Sequence, residues 1–236
     1  MGGEVIGKFT DGGGRILSKI TVVKNILDAN DRIADENRKL FDEKKIFVLN
    51  LMSSPGAGKT SLLEKTIEAL QEQYKIIVIE GDIQGSADAE RIAKFDIPVV
   101  QINTGGACHI DGNMIRETLP GFDLSQVDLL ITENVGNLVC PAEFNIGENA
   151  KVMILSTPEG SDKPLKYPLI FQKSEVMIIN KIDLIPYVDF DMVKAKKDAL
   201  SLNRDLQIFE VSCKTSEGLQ DWYRWLSDRI RAYKNG

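Results

Sequence analysis

Ser53-Ser54-Pro55-Gly56-Ala57-Gly58-Lys59-Thr60 is the stretch from which the fold can be read. It follows an apolar run at residues 46–52 and precedes a helically patterned stretch at 61–73, so it joins a strand to a helix. In that setting Gly56 and Gly58 let the backbone curl with its amides aimed at phosphate oxygens. Lys59 neutralises the β- and γ-phosphates and Thr60 offers its hydroxyl to Mg²⁺, while the helix N-terminus at Ser61 adds a favourable dipole. Ser54, Pro55 and Ala57 complete the loop. Ser53 stands where the pattern has its first glycine, a more tolerant position than the Gly-Lys-Thr core.

Working outward, short apolar runs recur at 46–52, 76–80, 99–102, 129–133, 152–156, 176–180 and 208–211. They are continuous rather than alternating, which predicts strands covered on both faces. Helical stretches at 61–73, 87–94, 193–200 and 220–233 lie between or after them. This alternation predicts an α/β fold, a three-layer α/β/α P-loop NTPase with a mainly parallel central sheet. Ligands of such sheets bind beyond the carboxyl ends of the strands. Upstream, Asp11-Gly12-Gly13-Gly14 reads as a flexible lead, and Ile16, Ile20, Val23 and Leu27 recur at helical spacing. Residues 1–44 are therefore expected to be a flexible start and an amphipathic helix, packed on the domain or docking a partner, and 45–236 the P-loop domain.

The strand ends name the nucleotide. Asn180-Lys181-Ile182-Asp183 lets the Asp183 carboxylate accept paired hydrogen bonds from guanine, while adenine presents the wrong groups. Asn180 can tie this loop to the phosphate loop, and the Lys181 stem can lie along the base. Ser212-Cys213-Lys214, at the end of the last strand, reads as the small-residue loop that completes a guanine pocket. Glu133 ends the 129–133 run where a carboxylate can reach Mg²⁺, and Gly136 can offer its amide to the γ-phosphate. Asp82 and Asp88 can each hold Mg²⁺ through water or orient the attacking water; Asp88 also reads as a helix-start charge. No glutamine or arginine stands at an evident catalytic position, so slow intrinsic GTP hydrolysis is expected.

Cys108 and His109 are adjacent, and Cys140 follows the Glu133–Gly136 segment closely. Thiolates and imidazole suit Zn²⁺ or Ni²⁺ rather than Mg²⁺. The spacing fits no zinc-finger template, and buried cysteines are also ordinary small hydrophobes. As ligands the three fall one short of a closed tetrahedral site, which a second subunit can complete across a two-fold axis.

Composition narrows the remaining classes. The chain has 236 residues, 43% hydrophobic and 27% charged, with a net charge of −6, which argues against a nucleic-acid binder. No run approaches the length of a membrane span, and the start has neither a signal-peptide core nor a myristoylation signal, so a cytoplasmic protein is expected. With three cysteines and one histidine, a disulfide framework is not expected.

Taken together, the phosphate loop, Glu80-Gly81-Asp82, Asp88-Ala89-Glu90-Arg91, Thr104-Gly105-Gly106-Ala107-Cys108-His109, Glu133-Asn134-Val135-Gly136-Asn137-Leu138-Val139-Cys140-Pro141, Glu159-Gly160 and Asn180-Lys181-Ile182-Asp183 resemble the HypB family of hydrogenase nickel-incorporation GTPases, of the SIMIBI class. The resemblance runs from about Lys45 to the C-terminus. It implies a GTP-dependent homodimer holding Ni²⁺ or Zn²⁺ at its interface through Cys108, His109 and Cys140. It also implies a HypA-like nickel chaperone as partner, and delivery to the hydrogenase large subunit. Lys163 or Lys166 would then reach the neighbouring subunit's nucleotide, although solvated surface charge explains either. The cysteine-rich or histidine-rich nickel motifs of some members, and the Cys-Pro-His of the related UreG, do not occur in this sequence. A small-molecule kinase, a scaffold with vestigial hydrolysis, and a chaperone for urease or a cobalamin enzyme are the competing readings.

Overall fold

Every apolar run pairs as a parallel strand. The computed structural model describes residues 22–82 and 87–236. The elements in chain order are α1 (Val22–Lys44), β1 (Phe47–Ser53), α2 (Lys59–Leu70), β2 (Ile76–Asp82), α3 (Ala87–Ala93), β3 (Val99–Asn103), α4 (Gly112–Thr118), β4 (Leu129–Glu133), α5 (Cys140–Glu143), β5 (Ala150–Ser156), α6 (Lys163–Lys166), α7 (Pro168–Lys173), β6 (Val176–Asn180), α8 (Met192–Leu202), β7 (Gln207–Glu210) and α9 (Leu219–Asn235). The strands form one seven-stranded sheet in the order β3-β2-β4-β1-β5-β6-β7. The glycine-rich lead and the helical positions Ile16 and Ile20 lie outside the described residues.

Alternate residues of a strand point to opposite faces, and the core divides accordingly. Phe47, Leu49 and Leu51 of β1 join Leu62, Leu63 and Ile67 of α2 and Trp222, Leu226 and Ile230 of α9 on one face. On the other face Val48 packs with Phe41 and Ile115, and Met52 packs with Phe171, Ala195 and Ala199. Asn50, between those last two, is a fully buried polar residue in mid-strand. β1, β4, β5 and β6 are buried along their whole length, as continuous apolar runs require, whereas β3 and β7 are the sheet edges. Sequence reading missed α4 to α7, which are too short to show a helical period. They are set instead by local devices: Asp111 caps α4 by accepting from the Met114 amide at 2.8 Å, and prolines open α5, α6 and α7.

Helix α1 is packed on the domain. Asn30 accepts from the Gly112 amide and donates to the Asn145 carbonyl, both at 2.8 Å. Asn37 donates to the carbonyls of Gly112 at 2.8 Å and Ile146 at 3.2 Å. The approach is backbone to backbone. Gly147 has φ +94°, and a Cβ there would stand 2.9 Å from the Ala34 carbonyl oxygen. Gly147→Ala is therefore expected to lower unfolding free energy by at least about 1–2 kcal/mol, the cost of the left-handed conformation alone. Urea denaturation is the measurement; an unchanged midpoint would mean that α1 is not held this closely.

Candidate functional site

The phosphate loop lines one side of a cavity of about 510 Å³ at the carboxyl ends of β1, β2 and β4. Gly56 and Gly58 take φ +76° and +103°, and a Cβ on Gly58 would meet Asn180 Nδ2 at 2.4 Å. Asn180 donates from that atom to the Ala57 carbonyl at 3.0 Å, so the end of β6 and the phosphate loop are bonded directly. Lys181, itself at φ 64°, donates from Nζ to the Gly56 carbonyl at 2.6 Å. Asp183 accepts from Ser212 Oγ at 2.6 Å, while the Cys213 amide donates to Asn180 Oδ1 at 3.2 Å. Lys214 is exposed.

Beside the loop lies an acidic cluster. Lys59 Nζ stands 3.2 Å from Ser53 Oγ and 4.0 Å from Glu133 Oε1, which accepts from Thr60 Oγ1 at 2.9 Å. Glu80, which sequence reading left without a role, is the register partner of Glu133 and is 2% exposed. Burial, then the Glu133 charge and a hydrogen bond to its carboxylate, push the Glu80 carboxyl well above its ordinary range. Burial also raises Glu133, against the opposing pull of Lys59. Glu80 Oε1, Glu133 Oε2 and Ser54 Oγ are buried without a hydrogen-bond partner. Such orphan oxygens beside an ammonium and a glycine-lined loop fit a hydrated divalent cation and a polyphosphate. The signal for Glu80 was a carboxylate inside a continuous apolar strand, a place where a charge is tolerated only with a partner.

Asp82, Asp88, Ser61 and Gly136 line the same cavity, and so does Arg91. Sequence spacing shows no arginine at an evident catalytic position; Arg91 stands at the rim of this cavity. Arg91 is held by Glu64 at 2.6 and 3.0 Å and by Asp88 at 3.2 Å. Its place beside the cavity follows from the packing of α3, which motif spacing does not reveal. Lys163 and Lys166 do not line the cavity; Lys163 sits 5.4 Å above the Tyr167 ring and Lys166 pairs with Asp162 at 2.5 Å.

Cys108, His109 and Cys140 come together, with ligand atoms all within 4.8 Å of one another. The two thiols are 2.6 Å apart, and Cys108 Sγ lies 3.6 Å from His109 Nδ1. Asn137 Nδ2 approaches Cys140 Sγ at 3.7 Å, and the His109 ring stacks on Phe144 at 3.8 Å. Burial holds His109 below its usual range, while burial and Cys108 push the Cys140 thiol up to about 11. Two thiols and a neutral imidazole at this separation are a donor set for a soft or intermediate divalent metal.

The family described as CobW/HypB/UreG, nucleotide-binding domain, matches residues 47–210. The hydrogenase maturation factor HypB of Azotobacter vinelandii is 48% identical over 217 residues, covering 90% of this chain and 72% of that one. Crystal structures of HypB from Helicobacter pylori in complex with nickel and of HypB from Archaeoglobus fulgidus both superpose with a TM-score of 0.81. Their identities are 38% and 39%, each covers 86% of this chain, and the matches span 96% and 99% of those chains. Among the described residues no helix is long and apolar enough to cross a membrane.

The acidic pair makes a prediction about pH. Because the folded Glu80 carboxyl titrates above its unfolded value, its contribution to stability is full below the unfolded pKa and is lost as pH rises. Without Mg²⁺ and nucleotide, Glu80→Gln should raise Tm at pH 8 more than at pH 5, by about 2–4 °C for each kcal/mol recovered. Calorimetry in a chelator tests it. A larger gain at pH 5 would contradict the assignment.

Proposed function

The chain belongs to the CobW/HypB/UreG nucleotide-binding family, within its HypB branch, and on that premise we propose that it is a GTP-hydrolysing metallochaperone for nickel insertion into hydrogenase. The observation that carries the reading is the short segment from Glu133 to Cys140, which begins at the phosphate cavity and ends at the thiol cluster. A nucleotide site and a soft-metal site are thus neighbours along one piece of backbone. Residues 45–236 act as the GTPase unit, with 1–44 as its appendage, and the protein works in the cytoplasm.

Phosphoryl transfer of this kind needs positioning and charge neutralisation more than covalent chemistry. Lys59 and the amides of Gly56–Gly58 hold the β- and γ-phosphates, with Ser54, Pro55 and Ser61 closing the cradle. Asp183 and Ser212-Cys213-Lys214 select guanine. Thr60, Glu133 and Glu80, with Asp82 or Asp88, would hold Mg²⁺, which supplies positive charge for the departing phosphates when bound. Whichever of Asp82 and Asp88 is not so engaged orients the attacking water. Gly136 senses the terminal phosphate by its amide.

Cys108, His109 and Cys140 hold the cargo, Ni²⁺ or Zn²⁺. With one ligand lacking, a GTP-dependent homodimer completes the site, and Val139, beside Cys140 and 47% exposed, supplies apolar surface for it. Lys163 or Lys166 reaches the partner's nucleotide in that dimer. A HypA-like chaperone exchanges nickel with it, and the hydrogenase large subunit receives it.

Two variants test the separate halves. Asp183→Asn should shift preference from GTP toward xanthosine triphosphate by about 10²-fold or more, because the altered edge now matches a carbonyl; unchanged selectivity refutes the guanine assignment. Cys140→Ala should abolish stoichiometric Ni²⁺ uptake in equilibrium dialysis while GTP binding persists. Full metal occupancy in that variant removes the cargo site.

A further inference from the structure

Between the two sites runs a string of buried polar side chains that starts at Asn134, on the wall of the phosphate cavity. Asn134, 0% exposed, directly follows β4, and its amide donates to the Leu51 carbonyl at 2.9 Å. Its Oδ1 accepts from the Ile110 amide at 2.9 Å and from the Val135 amide at 3.0 Å. Its Nδ2 donates to Asn50 Oδ1 at 3.1 Å, and Asn50 donates in turn to Glu148 Oε1 at 3.3 Å. Glu148 pairs with Lys151 at 2.6 Å, with both side chains at least 93% buried (7% and 5% exposed). Lys151 Nζ then donates to the Phe144 carbonyl at 3.1 Å. Phe144 is the residue on which His109 stacks, and Ile110 is the residue after His109.

The other end of this string reaches the phosphate loop. A Cβ on Gly136 would stand 3.0–3.1 Å from Pro55, so the backbone just past Asn134 lies against the phosphate loop. A Cβ on Gly81 would stand 2.4 Å from Ile110 Cδ1, so the segment between Glu80 and Asp82 rests on the same isoleucine. One fully buried amide side chain therefore bonds the loop packed against Pro55 to the loop bearing Cys108 and His109.

We propose that Asn134 is a positioning residue that transmits nucleotide state to the metal site, by fixing the distance between the Val135–Gly136 backbone and the Cys108–His109 loop through the Ile110 amide. The inference rests on the reading of this chain as a GTP-dependent metallochaperone. An apolar side chain would fill the same space, at the cost of leaving the Ile110 and Val135 amides and the Asn50 side chain without this partner. What an apolar side chain cannot do is hold two separate loops at one register.

Ni²⁺ affinity is measured at saturating GDP·Mg²⁺ and at saturating non-hydrolysable GTP analogue with Mg²⁺, and the ratio of the two is the readout. The unaltered protein should show a ratio of about tenfold or more, within the usual range of coupling between sites. Asn134→Leu, which fills the same space without polar atoms, should bring the ratio to within twofold of unity. Asn134→Asp keeps the acceptor for Ile110 and should restore most of it. A large ratio in the unaltered protein that survives Asn134→Leu overturns the inference and leaves the proposed function standing. A ratio of one in the unaltered protein removes both. Should Asn134→Leu fail to fold, amide exchange in the unaltered protein decides: Ile110 should stay protected by about 10²-fold or more in both nucleotide states, and loop-like exchange in either overturns the coupling.

Discussion

Two buried carboxylates face one buried ammonium at the end of the sheet, and that imbalance governs the site. The parallel register of β2 and β4 places Glu80 opposite Glu133, so both side chains emerge on the same side. Lys59 is near enough to offset one of them, at 4.0 Å from Glu133. Ionising both without a further cation leaves an uncompensated charge in a poorly solvated place, which costs several kcal/mol or is avoided by retaining a proton. A magnesium nucleotide would change this balance, bringing positive charge to the carboxylates and negative charge to the ammonium. The strand register, more than any one side chain, makes the cavity wait for that ligand.

The sheet was legible because its strands are continuous apolar runs punctuated by the phosphate loop, and burial on both faces produces that pattern directly. That Asn180, Asp183 and Ser212 lie close together was legible because they follow the ends of neighbouring strands β6 and β7, where spacing along the chain maps onto position in space. Less could be read where several segments converge. Glu80 was hidden because its role depends on a neighbour in another strand. Arg91 was hidden because its place beside the cavity depends on how α3 packs. Cys108 and Cys140 each follow a strand end, yet those strands, β3 and β4, are not neighbours: β2 lies between them. Their meeting at 2.6 Å depends on loops that reach across it.

Those loops are also where α1 is fastened. Asn30 and Asn37 bond Gly112, Asn145 and Ile146, all of which lie a few residues beyond His109 or Cys140. Of the two expectations for this helix, packing on the domain is the one observed. The contact is polar where it meets the loops and apolar further down, where Phe41 joins Ile46, Val48 and Ile77. Apolar burial is non-directional and sets affinity. The amide hydrogen bonds are directional and set where along the helix the loops attach. The helix is thus a fixed wall against which the metal-bearing loops are held.

The thiol cluster completes the physical picture. Burial keeps the Cys140 thiol protonated at neutral pH, with its value pushed up to about 11, and keeps His109 neutral. A metal held here would have to displace the Cys140 proton, and its affinity would be the balance of strong soft-ligand bonds against that deprotonation. A site so balanced is sensitive to small displacements of one ligand, because lengthening a single thiolate bond no longer offsets the proton it released. A pre-ionised thiolate site would grip its ion through such a movement.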